Sequence, residues 1–198
     1  MSAPSGARRA PGRLRIIGGR WKRTPIPVPD LPGLRPTPDR VRETLFNWLG
    51  QDMTGWRVLD LFAGSGALGL EAASRGAAQV VMIERDPAAC RSIQAICRKL
   101  QADQVLLVQG QAHEWLARRA PGEPAYDLIL IDPPFGSSAL QTILPAAWAH
   151  LSPTGALYVE WGQALQSDRP PLAGLNDLEV FRTGNTGQVH YHLLRRAV

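Results

Sequence analysis

Cysteine is scarce in this 198-residue chain: only Cys90 and Cys97 occur, and no CxxC pattern joins them. Their spacing is about two helical turns, which points both thiols the same way as inert core residues and makes a bridge between them unfavourable. A disulfide-stapled secreted scaffold is therefore excluded, and a reducing, cytoplasmic location is expected. Long apolar runs are also missing. The longest, Val80 to Ile83 and Leu128 to Ile131, fall far short of the ~20 residues of a membrane span. No apolar stretch follows Met1, so a secretory signal is not expected. Hydrophobic residues still make up 44% of the chain and charged residues 20%, a globular balance that excludes wholesale disorder.

Acids are nearly absent from the start of the chain. Residues 1–40 carry nine bases (Arg8, Arg9, Arg13, Arg15, Arg20, Lys22, Arg23, Arg35, Arg40) against Asp30 and Asp39, a net +7. The other 158 residues hold thirteen bases against fifteen acids, so the overall +5 belongs to an N-terminal arm. Such a block is the electrostatic footprint of a phosphate-backbone partner, the alternative being a solvated tail that confers solubility. Residues 1–12 lack apolar periodicity and read as a disordered basic tail, and residues 13–52 as a basic extension of hairpin plus helix. Within the extension, Gly18-Gly19 between short apolar stretches suggests a hairpin or tight turn. Pro25, Pro27 and Pro29 limit the strand after that turn to a sheet edge. Thr37-Pro38 reads as an N-cap with proline at the first helical position, and Val41, Thr44, Leu45, Trp48 and Leu49 as one buried helix face.

Beyond Gly55 strands and helices alternate. Strands are predicted at 57–62, 79–84, 104–109, 126–131 and 155–161, helices at roughly 66–75, 87–100, 111–119 and 138–150, and a closing antiparallel pair at about 177–183 and 188–195. Repeated βαβ units predict an α/β fold in residues 53–198. It is a Rossmann-like, mostly parallel seven-stranded sheet with helices on both faces and a C-terminal antiparallel hairpin.

Two motifs carry chemistry. Strand one ends Val58-Leu59-Asp60-Leu61-Phe62 and runs into Ala63-Gly64-Ser65-Gly66-Ala67-Leu68-Gly69, a GxGxxG turn between a strand and a helix. Its helix N-terminus suits an anionic group, and Glu84, closing the second strand, suits ribose hydroxyls. The pattern implies an adenosine ligand, either NAD(P) or S-adenosylmethionine. Asp60 favours the latter, because a carboxylate there attracts methionine's ammonium and repels a pyrophosphate. The fourth strand ends in Asp132-Pro133-Pro134-Phe135, across the expected cleft from Gly64. A carboxylate and a rigidly placed carbonyl both accept from one exocyclic NH2, orienting a poor nucleophile toward a sulfonium methyl, while Phe135 offers a stacking face for the base.

Asp60 to Gly66 and Asp132 to Phe135 resemble the first and fourth motifs of S-adenosylmethionine-dependent amino methyltransferases. Arg15-Ile-Ile-Gly-Gly19, the segment Leu34-Arg-Pro-Thr-Pro-Asp-Arg-Val-Arg-Glu-Thr-Leu-Phe-Asn-Trp-Leu49 and Gly187-Gln-Val-His-Tyr191 narrow the resemblance to the RsmD family of bacterial 16S ribosomal RNA guanine-N2 methyltransferases, over residues 13–196. The resemblance implies methylation of one guanine amine in 16S rRNA of the small ribosomal subunit. It implies a catalytic set of Asp132, Pro133, Pro134 and Phe135. The implied cofactor set is Asp60, Phe62, Ala63, Gly64, Ser65, Gly66, Glu84, Arg85, Gln111 and Ala112. The chain departs from many relatives at Gln111-Ala112, where Asp or Asn precedes a small residue, which leaves the adenine contact open. Arg20, Trp21, Lys22, Arg23, Arg35 and Arg40 are the candidate RNA contacts, with Trp21 suited equally to stacking on RNA or to packing the hairpin. His190 and His192 alternate on one strand without a third ligand, so no metal is expected; nor is a membrane, and a monomer is the default. Rival readings are an amino methyltransferase for DNA adenine or protein glutamine, an NAD(P)-dependent oxidoreductase, and a non-catalytic RNA-binding assembly factor.

Overall fold

The repeated strand–helix alternation folds into one twisted sheet. The structure, a computed structural model, describes residues 14–31, 36–119, 123, 125–134, 139–166, 171, 172, 175 and 177–197. The elements in chain order are α1 (Asp39–Leu49), β1 (Arg57–Asp60), α2 (Ala67–Ser74), β2 (Gln79–Glu84), α3 (Pro87–Leu100), β3 (Val105–Gln109), α4 (Ala112–Ala117), β4 (Tyr126–Ile131), α5 (Ala139–Ala149), β5 (Leu151–Trp161), β6 (Leu178–Thr186) and β7 (Val189–Arg196). The seven strands lie in the order β3-β2-β1-β4-β5-β7-β6. β1 pairs in parallel with both β2 and β4, so the strand order reverses between β1 and β4. β7 is antiparallel to β5 and to β6, the closing hairpin the sequence predicts.

Side-chain alternation splits the apolar residues into two layers. Val58, Val80, Met82, Leu128, Leu130 and Tyr158 face α1, α2 and α3, whereas Leu59, Val81, Ile83, Ile129, Ile131 and Val159 face α4 and α5. Asp86 caps α3 as expected, its Oδ1 accepting from the backbone N–H of Ala88 (2.7 Å) and Ala89 (3.0 Å) with Pro87 at the first helical position. β5 starts earlier than the pattern suggests, at Leu151, across a register shift between Tyr126 and Leu128. Cys90 is buried and Cys97 half-buried, both free thiols; burial pushes Cys97 up to about 11, consistent with inert packing residues.

The N-terminal extension departs from the sequence reading in four places. First, the hairpin expected at Gly18-Gly19 forms, with Ile16 N–H donating to Thr24 O (2.9 Å), Arg23 N–H to Ile16 O (2.8 Å) and Ile26 N–H to Leu14 O (2.9 Å). The segment after it is not an edge strand of the sheet: it makes one isolated bridge, Arg15 to Pro25, and the turn docks against α2. Gly19 has φ +70°, and a Cβ there would lie 1.9 Å from the Ser74 carbonyl oxygen, so only glycine admits this approach. Arg20 N–H donates to that carbonyl (2.7 Å), Trp21 N–H to Ser74 Oγ (2.9 Å), and Ser74 Oγ to Gly18 O (2.6 Å). Secondly, Trp21 is 7% exposed and belongs to the core beside α2, so its burial takes the packing role and withdraws it as a stacking platform. Thirdly, α1 starts at Asp39 with Pro38 in the cap position and no side-chain cap, because the Thr37 hydroxyl is engaged elsewhere. Fourthly, the buried face of α1 is Val41, Arg42, Leu45 and Phe46, with Thr44 and Trp48 only half-buried.

Arg42 is tolerated in that face because Glu71 of α2 faces it. Glu71, itself fully buried, accepts from the backbone N–H of Ile17 (2.8 Å) and Gly18 (2.7 Å), from Arg42 Nη1 (3.4 Å) and from Arg75 Nε (3.1 Å) and Nη2 (2.8 Å). One carboxylate thus ties the extension, α1 and α2 together. A buried charge with this many partners is compensated; without them it would cost several kcal/mol.

Candidate active site

The carboxyl ends of β1, β2 and β4 open on a cavity of about 670 Å³, within the ordinary range for small-molecule sites. It lies at the switch in strand order, where open α/β sheets bind ligands. Phe62, Ala63, Gly64 and Ser65 line one side, Glu84, Arg85 and Asp86 another, and Gly110, Gln111 and Ala112 a third. Asp132, Pro133 and Pro134 close it opposite, and Leu31, Pro36 and Thr37 bring the N-terminal extension onto the same wall. The extension is therefore part of the site.

The glycine turn is built as the motif predicts. Gly66 has φ +79° and its N–H donates to Ala63 O at 2.6 Å, closing the turn that starts α2. Glu84 Oε2 accepts from Gly64 N–H (2.7 Å) and its Oε1 from Asp86 N–H (2.7 Å), so this carboxylate holds the turn and the head of α3. Asp60 is 1% exposed and accepts from Gly69 N–H at 3.2 Å. Burial pushes its carboxyl up to about 7, partly offset by the N–H groups of Phe62 and Gly69, and Glu84 adds to the rise. A buried carboxylate with no ion pair among the described residues, beside a cavity of this size, suits a ligand carrying an ammonium group. Gln111 lines the wall, and its Nε2 donates to Glu114 Oε1 at 3.3 Å. Arg85 is exposed at the rim.

Asp132 is held among acids. The sheet pairs Asp60 with Leu130 and Leu130 with Tyr158, so Asp132 and Glu160, two residues further along their chains, continue one face. Burial first, then the charges of Glu160 and Asp60, raise the Asp132 carboxyl well above its ordinary value. Glu160, 7% exposed, is raised by burial as well. Between them stands Thr37, whose Oγ1 lies 2.9 Å from Glu160 Oε1 and 3.4 Å from Asp132 Oδ2. Tyr158 OH donates to the same Glu160 oxygen at 2.8 Å. Thr37, Tyr158 and Glu160 were not among the residues expected from the sequence; the available signal was an acid closing β5 in register with the one closing β4.

Of the candidate RNA contacts, Arg20, Lys22 and Arg23 are exposed on the turn docked at the far end of α2. An eight-residue helix puts that end about 12 Å from Gly66. Arg40 is exposed at the start of α1 and donates to Thr186 Oγ1 at the tip of the β6–β7 hairpin, on the cavity side of the sheet. Arg35 and Phe135 lie outside the described residues. His192 is buried, accepts from Leu165 N–H at 3.1 Å and is held down at about 4 by burial, a packing histidine. Among the described residues no group of three or more His, Cys, Asp or Glu side chains is placed to hold a metal ion, and no helix is long and apolar enough to cross a membrane.

Comparison with known proteins agrees with this geometry. A family model described as Conserved hypothetical protein 95 matches residues 14–195. The chain belongs to this family, the RsmD family. Ribosomal RNA small subunit methyltransferase D of Escherichia coli is 40% identical over 189 residues, covering 93% of this chain and 91% of that one. The solved structure of a putative methyltransferase from Escherichia coli superposes with TM-score 0.80 at 37% identity, over 94% of this chain and 99% of that one. A putative methylase from Haemophilus influenzae gives TM-score 0.77 at 28% identity, over 94% and 100%. This RsmD-family chain thus has the Rossmann-like methyltransferase fold, and the docked extension falls within the matched region.

Proposed function

We propose that this RsmD-family protein transfers a methyl group from S-adenosylmethionine to the exocyclic N2 amine of one guanine in 16S rRNA of the small ribosomal subunit. The observation that carries the reading is the meeting of Gly64 and Ser65 of the glycine turn, Glu84 and Asp132-Pro133-Pro134 on the wall of one cavity, with Asp60 buried behind the turn against Gly69 N–H. The printed name of the Escherichia coli relative supports ribosomal RNA as the substrate class. When bound, S-adenosylmethionine supplies a methyl group on a positively charged sulfur. Asp60 fits its ammonium, and Glu84 its ribose hydroxyls. Asp132 accepts one N–H of the target amine and the backbone carbonyls of the proline pair offer a second acceptor, which leaves the nitrogen lone pair facing the methyl. Phe135 stacks on the extruded base, and Arg40 with Arg20, Lys22, Arg23 and Arg35 contacts the phosphate backbone. The protein works in the cytoplasm as a monomer.

The test uses purified protein, labelled S-adenosylmethionine and three substrates: unmethylated 30S subunits, naked 16S rRNA and duplex DNA. N2-methylguanosine identified by mass spectrometry from subunits or rRNA is the expected product. Transfer to DNA alone, or to none of the three with cofactor bound, refutes the assignment.

A further inference from the structure

The proposed chemistry leaves a proton to be placed, and the residues beside Asp132 offer a place for it. When the N2 lone pair forms the N–CH3 bond, the S–CH3 bonding pair stays on sulfur and the nitrogen becomes positive. One N–H proton must then leave to restore a neutral secondary amine. Asp132 is the acceptor in contact with that amine, yet it sits at the inner wall beside Asp60 and Glu160.

We propose that Thr37 and Glu160 act through Asp132 as positioning residues: Thr37 is a hydroxyl bridge, and Glu160 a second carboxylate that receives the proton Asp132 has taken. This rests on the reading of Asp132 as the group that holds the target amine. Thr37 has a single O–H hydrogen for two carboxylate neighbours, at 2.9 Å (Glu160) and 3.4 Å (Asp132). The shorter contact directs that hydrogen to Glu160 and leaves an oxygen lone pair toward Asp132. A protonated Asp132 therefore donates to Thr37 Oγ1 while Thr37 passes its own hydrogen to Glu160. The net result is a carboxylic acid at Glu160, a regenerated carboxylate at Asp132 and an unchanged hydroxyl at Thr37. Tyr158, donating to Glu160 Oε1 at 2.8 Å, fixes the oxygen that faces Thr37. Reverse transfer to Asp132 and then to water resets the unit after product leaves the open cavity.

The surroundings favour shuttling over a fixed charge. Around the pair stand Asp60 on β1, Tyr158 on β5 and Tyr191 on β7, paired across from Glu160. The guanidinium of Arg42 on α1 reaches the Thr37 backbone carbonyl (Nε to O 3.3 Å), and its remaining contacts go to Asp39 and Glu71. No ion pair to Asp132 or Glu160 exists among the described residues, so neither carboxylate is pinned in its ionised form.

Single-turnover methylation of 30S subunits between about pH 6 and about pH 9 tests the unit with E160Q, T37V, T37S and D132N, alongside calorimetric S-adenosylmethionine affinity. Wild type making N2-methylguanosine and D132N failing to do so supports the underlying reading. E160Q is expected to slow transfer about tenfold to about a hundredfold, less than the loss of a direct acid–base group, with cofactor affinity within about twofold. Removing the Glu160 charge makes Asp132 easier to ionise, so the acid limb of the rate profile moves about one unit to lower pH. T37V is expected to lose rate as E160Q does, and T37S to restore rate and profile. An active wild type and inactive D132N combined with an unmoved acid limb in E160Q, or a wild-type rate in T37V, overturns the relay alone. An inactive wild type or an active D132N overturns the parent reading and the relay together.

Discussion

Removing the Glu71 carboxylate strips five hydrogen bonds from groups that are buried or half-buried. Arg42 is fully buried and Arg75 is 7% exposed, and the backbone N–H groups of Ile17 and Gly18 spend their hydrogens on the same carboxylate. Glu71→Ala leaves two buried guanidinium groups facing a void, the situation in which breaking a buried ion pair costs about 3–5 kcal/mol. Against a typical domain stability of about 5–15 kcal/mol this is a large fraction, and for a chain of this size it corresponds to a fall in Tm of roughly 6–20 °C. Urea unfolding followed by tryptophan fluorescence measures it, with an unchanged slope marking a true loss of stability. Limited trypsin digestion adds a local readout: cleavage after Arg20, Lys22 or Arg23 accelerates in the variant, because the extension loses its anchor on α2. Asp39→Asn is the milder control, since that side chain is one-third exposed, its pair with Arg15 lies at the surface, and the amide keeps an oxygen that can still accept from the buried Arg42. If Glu71→Ala costs no more than Asp39→Asn, the extension is not held as described and its contribution to the cavity wall fails with it.

Three other sets of contacts carry predictions of their own. Because burial holds the Asp60 carboxyl at about 7, S-adenosylmethionine should bind more tightly as pH rises from about 6 to about 8, each complex releasing up to one proton near neutrality; calorimetry in buffers of different ionisation enthalpy measures the release, and none at pH 6.5 in wild type, or an equal release in D60N, contradicts the role. Gly19→Ala places a methyl group 1.9 Å from the Ser74 carbonyl in a left-handed backbone conformation, so it should destabilise by about 1–3 kcal/mol in urea unfolding, whereas Gly50→Ala, with open space around it, should cost only its backbone strain of about 1–2 kcal/mol. Charge reversal at Arg20, Lys22 and Arg23 should weaken rRNA binding and lower the salt slope by about 0.7–0.9 per lost phosphate contact while leaving single-turnover rate at saturation unchanged. An unaltered slope would assign that turn to solubility alone.

The alternating part of the chain was legible because its signals are local. The glycine turn, the acids closing β1, β2 and β4, and the Asp86-Pro87 cap each declare themselves within a few residues, and the order of βαβ units dictates where their ends converge. The extension was harder to read because its partners lie far along the chain. Gly18-Gly19 looks like any tight turn until Ser74 is placed against it. Arg42 looks like a solvated helix residue until Glu71, 29 positions away, is found opposite. Thr37 satisfies every local rule for an N-cap, yet its hydroxyl goes to Glu160 and Asp132, 123 and 95 positions distant, because a pair of buried carboxylates competes for it more strongly than the free N–H groups at the start of α1. One clue was present in α2 itself. Ala67-Leu-Gly-Leu-Glu-Ala-Ala-Ser74 is apolar nearly all round, and all eight residues are buried. A helix of that kind needs cover on the side away from the sheet, and its two polar residues, Glu71 and Ser74, one helical turn apart, mark where that cover attaches. The same reasoning explains why Arg15-Ile-Ile-Gly-Gly19 and the segment from Leu34 to Leu49 carry family resemblance beside the glycine turn: one docks on α2, and the other delivers Thr37 to the Asp132 and Glu160 carboxylates.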